Sequence, residues 1–261
     1  HHRMHFTLLG TGGAWPDAER SSPAFLFEHD DRRILIDCGG GTCRQLMRAG
    51  TPPSTLTDIL LTHTHIDHCV EFPSLVFGAY LTGKTGEFRA RGAKGTAHYC
   101  TSIFRDAFDF APPMMKKLRK LDIDIDAKDV EDHETLTIGD VKVECASMDH
   151  GFPAMGFRFS VGGKTIVHSG DTQPCQAITE LARGADVLIM ECSFPETMGP
   201  RPFHCIPSQV GRIAQEADVG RVVLVHLFPP CNGKEKEMIE DVRKQYRGPV
   251  EVGQDLQVIQ C

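Results

Sequence analysis

Four separate apolar runs in this chain end in a histidine or an aspartate: "DILLTH" at 58–63, "VKVECASMDH" at 141–150, "TIVHSGD" at 165–171 and "RVVLVH" at 221–226. The first continues as "THIDH", so His63, His65, Asp67 and His68 fall within six positions. Residues i and i+2 of an extended segment project to the same side, which lets His63 and His65 face one ion. A turn into helix at Asp67 then lets Asp67 and His68 face a second. Sites in sheet-containing folds gather where strands end. The pattern therefore demands a fold that brings several strand ends to one edge, with His150, Asp171 and His226 joining the 63–68 loop.

The element order around these runs suits such a fold. Short strands with glycine turns come first ("HFTLLG" from 5, "AFLFEH" from 24, "RILIDCGGG" from 33), followed by a helix "TCRQLMRAG" closed at Gly50. Hairpins are expected at Gly139-Asp140 and at Gly162-Gly163. From residue 174 helix and strand alternate: "PCQAITELARG", "ADVLIMEC", "PSQVGRIAQEAD", "GRVVLVHL", "GKEKEMIEDVRKQ". Hairpins followed by helix–strand units imply packed sheets with helices outside. Residues 73–132 lack this regularity, with Pro112-Pro113, the basic run "KKLRK" and acidic "DIDIDAKDVED", and read as an insertion in a single domain spanning 4–261.

At 261 residues and 41% hydrophobic, the chain can bury a sizeable core. Its net charge of −7 gives no general attraction for polyanions, so any phosphate affinity must come from a focused site. The ten cysteines form no CxxC pair, and no apolar stretch reaches the ~18 residues of a membrane span. A cytoplasmic protein with reduced thiols and no membrane partner is expected.

The series HxHxDH, a distant His, the Asp of "SGDT" and a final strand-end His resembles the metallo-β-lactamase superfamily. Within it the chain is similar to the ribonuclease Z group: "LLGTGGAWP" at 8–16, "LIDCGGGTCRQLMRAG" at 35–50, and "ADVLIMECSF" ahead of "FHCIPSQVGRIAQEA" carry that likeness. The resemblance implies a four-layer αβ/βα sandwich of the α/β (α+β) class. It also implies two divalent ions, with zinc suited to the donors and manganese or iron able to replace it. His63, His65 and His150 would hold one ion, and Asp67, His68 and His226 the other. Asp171 would bridge them, and Asp37 would orient a ligand. His204 matches the extra histidine of the group and, with Asp67, is the catalytic candidate. A homodimer is a further implication.

Two such ions, ~3.5–4 Å apart, generate a bridging hydroxide near neutral pH. The expected reaction is hydrolysis of an anionic phosphodiester, with His204 donating a proton to the leaving oxygen. The chain departs from the ribonuclease Z pattern at Gly40, at Cys205-Ile206 and at "LFPP" after His226, so a small or cyclic nucleotide competes with tRNA or other RNA as substrate. Thioester, lactone or sulfate ester hydrolysis on the same metals is a second reading, and a non-catalytic metal-binding protein a third. His168, inside "TIVHS", reads as packed; His29, His98 and His133 are assigned no chemistry; and Cys38, Cys69 and Cys205 read as small core residues.

Overall fold

The computed structural model describes residues 3–108 and 123–261. Fourteen strands among these residues form two seven-stranded sheets. The first has the order β14-β1-β2-β3-β4-β5-β6, where β1 is His5–Gly10, β2 Ala24–His29, β3 Arg32–Ile36, β4 Asp58–Leu61, β5 Phe88–Gly92, β6 Ile125–Asp129 and β14 Gln257–Gln260. The second has the order β13-β12-β11-β10-β9-β8-β7, with β7 Thr135–Ile138, β8 Val141–Ser147, β9 Met155–Val161, β10 Lys164–His168, β11 Val187–Glu191, β12 Val222–Val225 and β13 Val250–Val252. Each sheet has an antiparallel half that passes into four parallel strands, β3 to β6 in one and β10 to β13 in the other.

The strand sequences explain the layering. In β9, "MGFRFSV", Phe157 and Phe159 point into the molecule while Arg158 and Ser160 stay half-exposed, the period of two expected of a sheet with one covered face. In β11, "VLIME", every residue is buried. Val187 and Ile189 face the opposite sheet, and Leu188 and Met190 face the outer helices, as a parallel strand covered on both sides requires. Between the sheets, Phe27 stacks on Phe159 with ring centroids 4.8 Å apart, and Phe6 meets Phe159 at 6.0 Å.

Helices close the two outer faces. Helices α1 (Thr42–Arg48), α2 (Ile66–Cys69), α3 (Phe72–Leu81) and α4 (Thr96–Ser102) belong to the first half; Leu46, Phe72, Leu75 and Val76 pack there on Leu26, Leu35, Ile59 and Leu61. Helices α5 (Gln176–Ala182), α6 (Pro207–Ala217) and α7 (Glu235–Arg243) cover the second, where Ile178, Val210, Ile213 and Val242 pack on Leu188 and Leu224. Helix, sheet, sheet, helix is the four-layer αβ/βα sandwich. Both hairpins fall where expected; Gly162 and Gly163 take φ of 58° and 77°, the pair of positive angles a two-residue primed turn needs.

The stretch 73–132 differs from the sequence reading. Much of it is not an insertion outside the regular pattern: α3, β5, α4 and β6 complete the first sheet and its outer layer. Arg89 and Arg91 of "FRARGAK" lie on β5, where Arg91 donates to the Asp126 carboxylate of β6 at 3.1 Å. Pro112-Pro113 and "KKLRK" lie outside the described residues. Among the described residues no helix is long and apolar enough to cross a membrane.

Candidate metal centre

Eight side chains converge at one edge of the two sheets, where these strands end. Asp37 follows β3; His63 follows β4; His65, Asp67 and His68 lie at the start of and within α2; His150 follows β8; Asp171 follows β10; and His226 follows β12. Asp37 and His226 sit in the left-handed region, at φ of 61° and 60°. Such angles cost a non-glycine residue on the order of 1–3 kcal/mol, and here they turn a carboxylate and an imidazole into the cluster. A backbone bond from Met155 N–H to the Thr62 carbonyl, 2.8 Å, ties the two halves beside the site.

The donor atoms fall into two sets. His63, His65 and His150 each offer an atom within 4.8 Å of the others, and so do Asp67, His68, Asp171 and His226. Asp171 Oδ2 stands between them: it is 3.5 Å from His63 Nε2, 3.6 Å from His150 Nε2, 2.9 Å from His68 Nε2 and 3.3 Å from His226 Nε2. Asp67 Oδ2 is 3.3 Å from His68 Nε2 and 3.5 Å from His226 Nε2. The structure thus brings together all seven residues that the sequence singled out.

Outer partners decide which ring nitrogen faces inward. His68 Nδ1–H donates to Asp37 Oδ2 at 2.7 Å, and His150 Nδ1–H donates to the Phe203 carbonyl at 2.9 Å. Thr62 Oγ1 donates to Asp37 Oδ2 and accepts from His63 Nδ1–H, at 2.8 and 2.9 Å. Ser193 Oγ donates to Glu191 Oε2 at 2.6 Å and accepts from His226 Nδ1–H at 2.9 Å. The inward Nε2 atoms therefore keep their lone pairs. The facing Nε2 atoms of His226 and His68, 3.3 Å apart, can then share no proton in that tautomer. His63 Nε2 is buried and finds no hydrogen-bond partner among the described residues. Buried lone pairs aimed at one another, with two carboxylates between, fit divalent cations.

The electrostatics agree. Burial pushes the His63 imidazolium well below the usual histidine range, and His68 beside it pushes further, so His63 is neutral. For His68 burial acts the same way but Asp171 and Asp37, one on each ring nitrogen, outweigh it and favour positive charge there, which a cation held at Nε2 would supply in place of a proton. Burial alone would raise the Asp171 carboxyl; His226, His68 and His63 overcome it and hold it ionised. Asp67 is likewise lowered, its burial outweighed by the closeness of His226 and His68.

His204 stands at the rim. Its Nδ1–H is 3.0 Å from both oxygens of Glu191, and its ring stacks on His226 at 5.5 Å. Burial would lower this imidazolium, but Glu191 outweighs it and raises the pKa to about 9. Glu191 is fully buried and also accepts from Thr172 N–H at 2.7 Å and from Ser193. With its oxygens so engaged, it holds ligands in place rather than binding an ion itself. Glu191, Ser193 and Thr62 are site residues that do not stand out in the sequence. Glu191 had a signal, a carboxylate closing the otherwise apolar run "VLIME", where burial without partners is too costly. His168 is buried against Phe25, 4.4 Å between rings, and Cys38, Cys69 and Cys205 are buried free thiols. His29 ends β2 and is buried.

The family model described as "Beta-lactamase superfamily domain" matches residues 32–227, from β3 to just past His226. The chain belongs to this superfamily. Ribonuclease Z of Methanosarcina acetivorans is 26% identical over 97% of this chain and 96% of its own length. Two solved structures share the fold: the metallo-beta-lactamase fold protein YhfI from Bacillus subtilis, with a TM-score of 0.82, 22% identity and full coverage of both chains, and human tRNase Z, short form, with 0.76, 20% and 98% of each.

Proposed function

We propose that this superfamily member is a metal-dependent phosphodiesterase, a hydrolase that takes RNA or small or cyclic nucleotide phosphodiesters. The observation that carries the reading is His204, held protonated by Glu191 beside two sets of inward metal donors. A thioester, which expels a weakly basic thiolate, has little need of such an acid, whereas the alkoxide leaving a phosphodiester does. The full-length similarity to ribonuclease Z supports the same reading.

His63, His65 and His150 would hold one divalent ion, Asp67, His68 and His226 a second, with Asp171 shared. Zinc suits these donors best, and manganese or iron fits the same set. Bound there, the ions supply Lewis-acid charge for a phosphoryl oxygen and acidify water toward neutral pH.

The chain's own residues do the rest. Asp37 and Thr62 fix the rings of His68 and His63, and Ser193 fixes His226. Asp67, held ionised, contributes charge and orientation rather than proton storage. Glu191 accepts Nδ1–H of His204, which leaves Nε2–H to be given to the departing oxygen. His204 keeps 17% of its side chain exposed, so water can return the proton.

The test is hydrolysis of bis(p-nitrophenyl) phosphate by zinc-loaded protein, beside a thioester and lactone panel and a metal assay. Phosphodiester turnover with two metals per chain is expected. Turnover of the carboxyl esters alone, or none with full metal, would overturn the reading.

A further inference from the structure

Beside the donor sets lies a group of aromatic rings that the chemistry above does not use. Trp15, the one tryptophan of the chain, is 47% exposed. Its indole lies nearly parallel to Phe228, 5.3 Å between centroids and 14° between planes, and meets the edge of Phe194 at 6.1 Å. Phe228 is buried and in turn touches His226 at 5.3 Å and His204 at 5.6 Å. One ring's thickness thus separates an exposed indole from both a metal-facing histidine and the proton donor.

The loop carrying Trp15 is built for this position. A Cβ on Gly13 would overlap the Phe228 ring and come within 3.0 Å of His226 Cε1, so only glycine lets the backbone run this close to the site. Arg201 lies 5.4 Å over the Phe194 ring, which adds a positive charge to the same rim. A flat ring, backed on one side and open on the other, next to a site for a phosphodiester, has the form of a base-stacking surface; every nucleobase offers a π face, and stacking on an aromatic residue strengthens binding by roughly fivefold to a hundredfold.

We propose that Trp15, backed by Phe228, is the stacking platform for a nucleobase of the substrate, so that the phosphodiester cleaved here carries a nucleoside on the His204 side. The inference rests on the phosphodiesterase reading and adds to it the residue that recognises the base and the side of the site on which that base lies.

Because Trp15 is the sole tryptophan, its fluorescence reports the contact directly. Adenosine 5′-monophosphate and ribose 5-phosphate, which differ by the base alone, are titrated into the zinc-loaded full chain. The monophosphate should quench the emission and bind about tenfold more tightly than the sugar phosphate. By calorimetry, Trp15→Ala should weaken the monophosphate about tenfold and leave ribose 5-phosphate unchanged, while Trp15→Phe restores most of the difference. Equal binding of the two probes, or equal loss of both in Trp15→Ala, overturns the inference; so does indifference of nucleotide binding to Trp15, the outcome if the rim serves a protein partner. Failure of the underlying reading shows separately, as wild-type protein that does not hydrolyse bis(p-nitrophenyl) phosphate.

Discussion

The two halves of the sandwich carry the same polar device at the same place. In the first, buried Asp37 beyond β3 holds one histidine directly, His68, and another through a hydroxyl, Thr62 to His63. In the second, buried Glu191 at the end of β11 holds His204 directly and His226 through Ser193. The connectivity is the same, yet the outputs differ. Both histidines of the Asp37 relay face the metal donors, whereas the Glu191 relay serves one such histidine and one proton donor at the rim. One carboxylate is committed to metal binding; the other joins metal binding to acid catalysis.

Paired isosteric substitutions separate the two. Asp37→Asn keeps an oxygen for Thr62 N–H, now bonded at 2.8 Å to Oδ1, but replaces Oδ2 with an amide that can only donate. His68 must then turn its N–H toward the site, and Thr62 loses its acceptor. Outer partners of this kind are worth about 10–100-fold each. With two ligands affected, one in each donor set, metal affinity and turnover should fall on the order of 1,000-fold. Zinc content after dialysis checks this, and a variant that retains both metals would show the Asp37 relay to be dispensable.

Glu191→Gln should act differently. Metal content should change by less than about tenfold, because the relay touches one ligand and only through Ser193. Turnover of a ribonucleotide ester should fall about 100-fold, while a p-nitrophenyl ester, whose leaving group needs little protonation, should hardly change. The pH profile gives the sign. His204 is raised to about 9, so the acid is present below that value and is lost as pH rises through it. In Glu191→Gln the alkaline limb of the rate should move down toward about 6.5, the ordinary histidine value. A limb that stays in place would remove His204 from proton donation.

How much of this was legible depends on how far a residue's partners lie along the chain. His63, His150, Asp171 and His226 stand out because each closes an apolar run, and β11 and β12 are readable because both their faces are buried. Strands β5 and β6 were hidden for the opposite reason. "FRARG" buries Phe88 and Ala90 on one face but places Arg89 and Arg91 on the other, toward Asp58 and Asp126, and a strand whose charges are paired across the sheet looks like a solvated basic run in one dimension. Thr62 and Ser193 were illegible because hydroxyls are common and their roles exist only once Asp37 and Glu191 are in place. Trp15 sits 213 residues before Phe228, the ring it stacks on, so its place beside the site depends on the fold.

The finest test of the comparison concerns the two hydroxyls. Thr62→Val and Ser193→Ala each remove one acceptor and free one Nδ1–H, with little change in shape for the first and a small void for the second. Thr62 Oγ1 lies beside both ligands of its relay, 2.9 Å from His63 Nδ1 and 3.5 Å from His68 Nδ1, although the longer approach is too weak to orient a ring. Each variant should therefore loosen one histidine, and each should cost about tenfold in the affinity of a single metal. The ions affected should differ: His63 belongs to the set with His65 and His150, His226 to the set with Asp67 and His68. Stepwise zinc titration should show one weakened step in each single variant and two in the double variant. If both hydroxyls weaken the same step, the donors are not divided between the halves in the way their distances indicate.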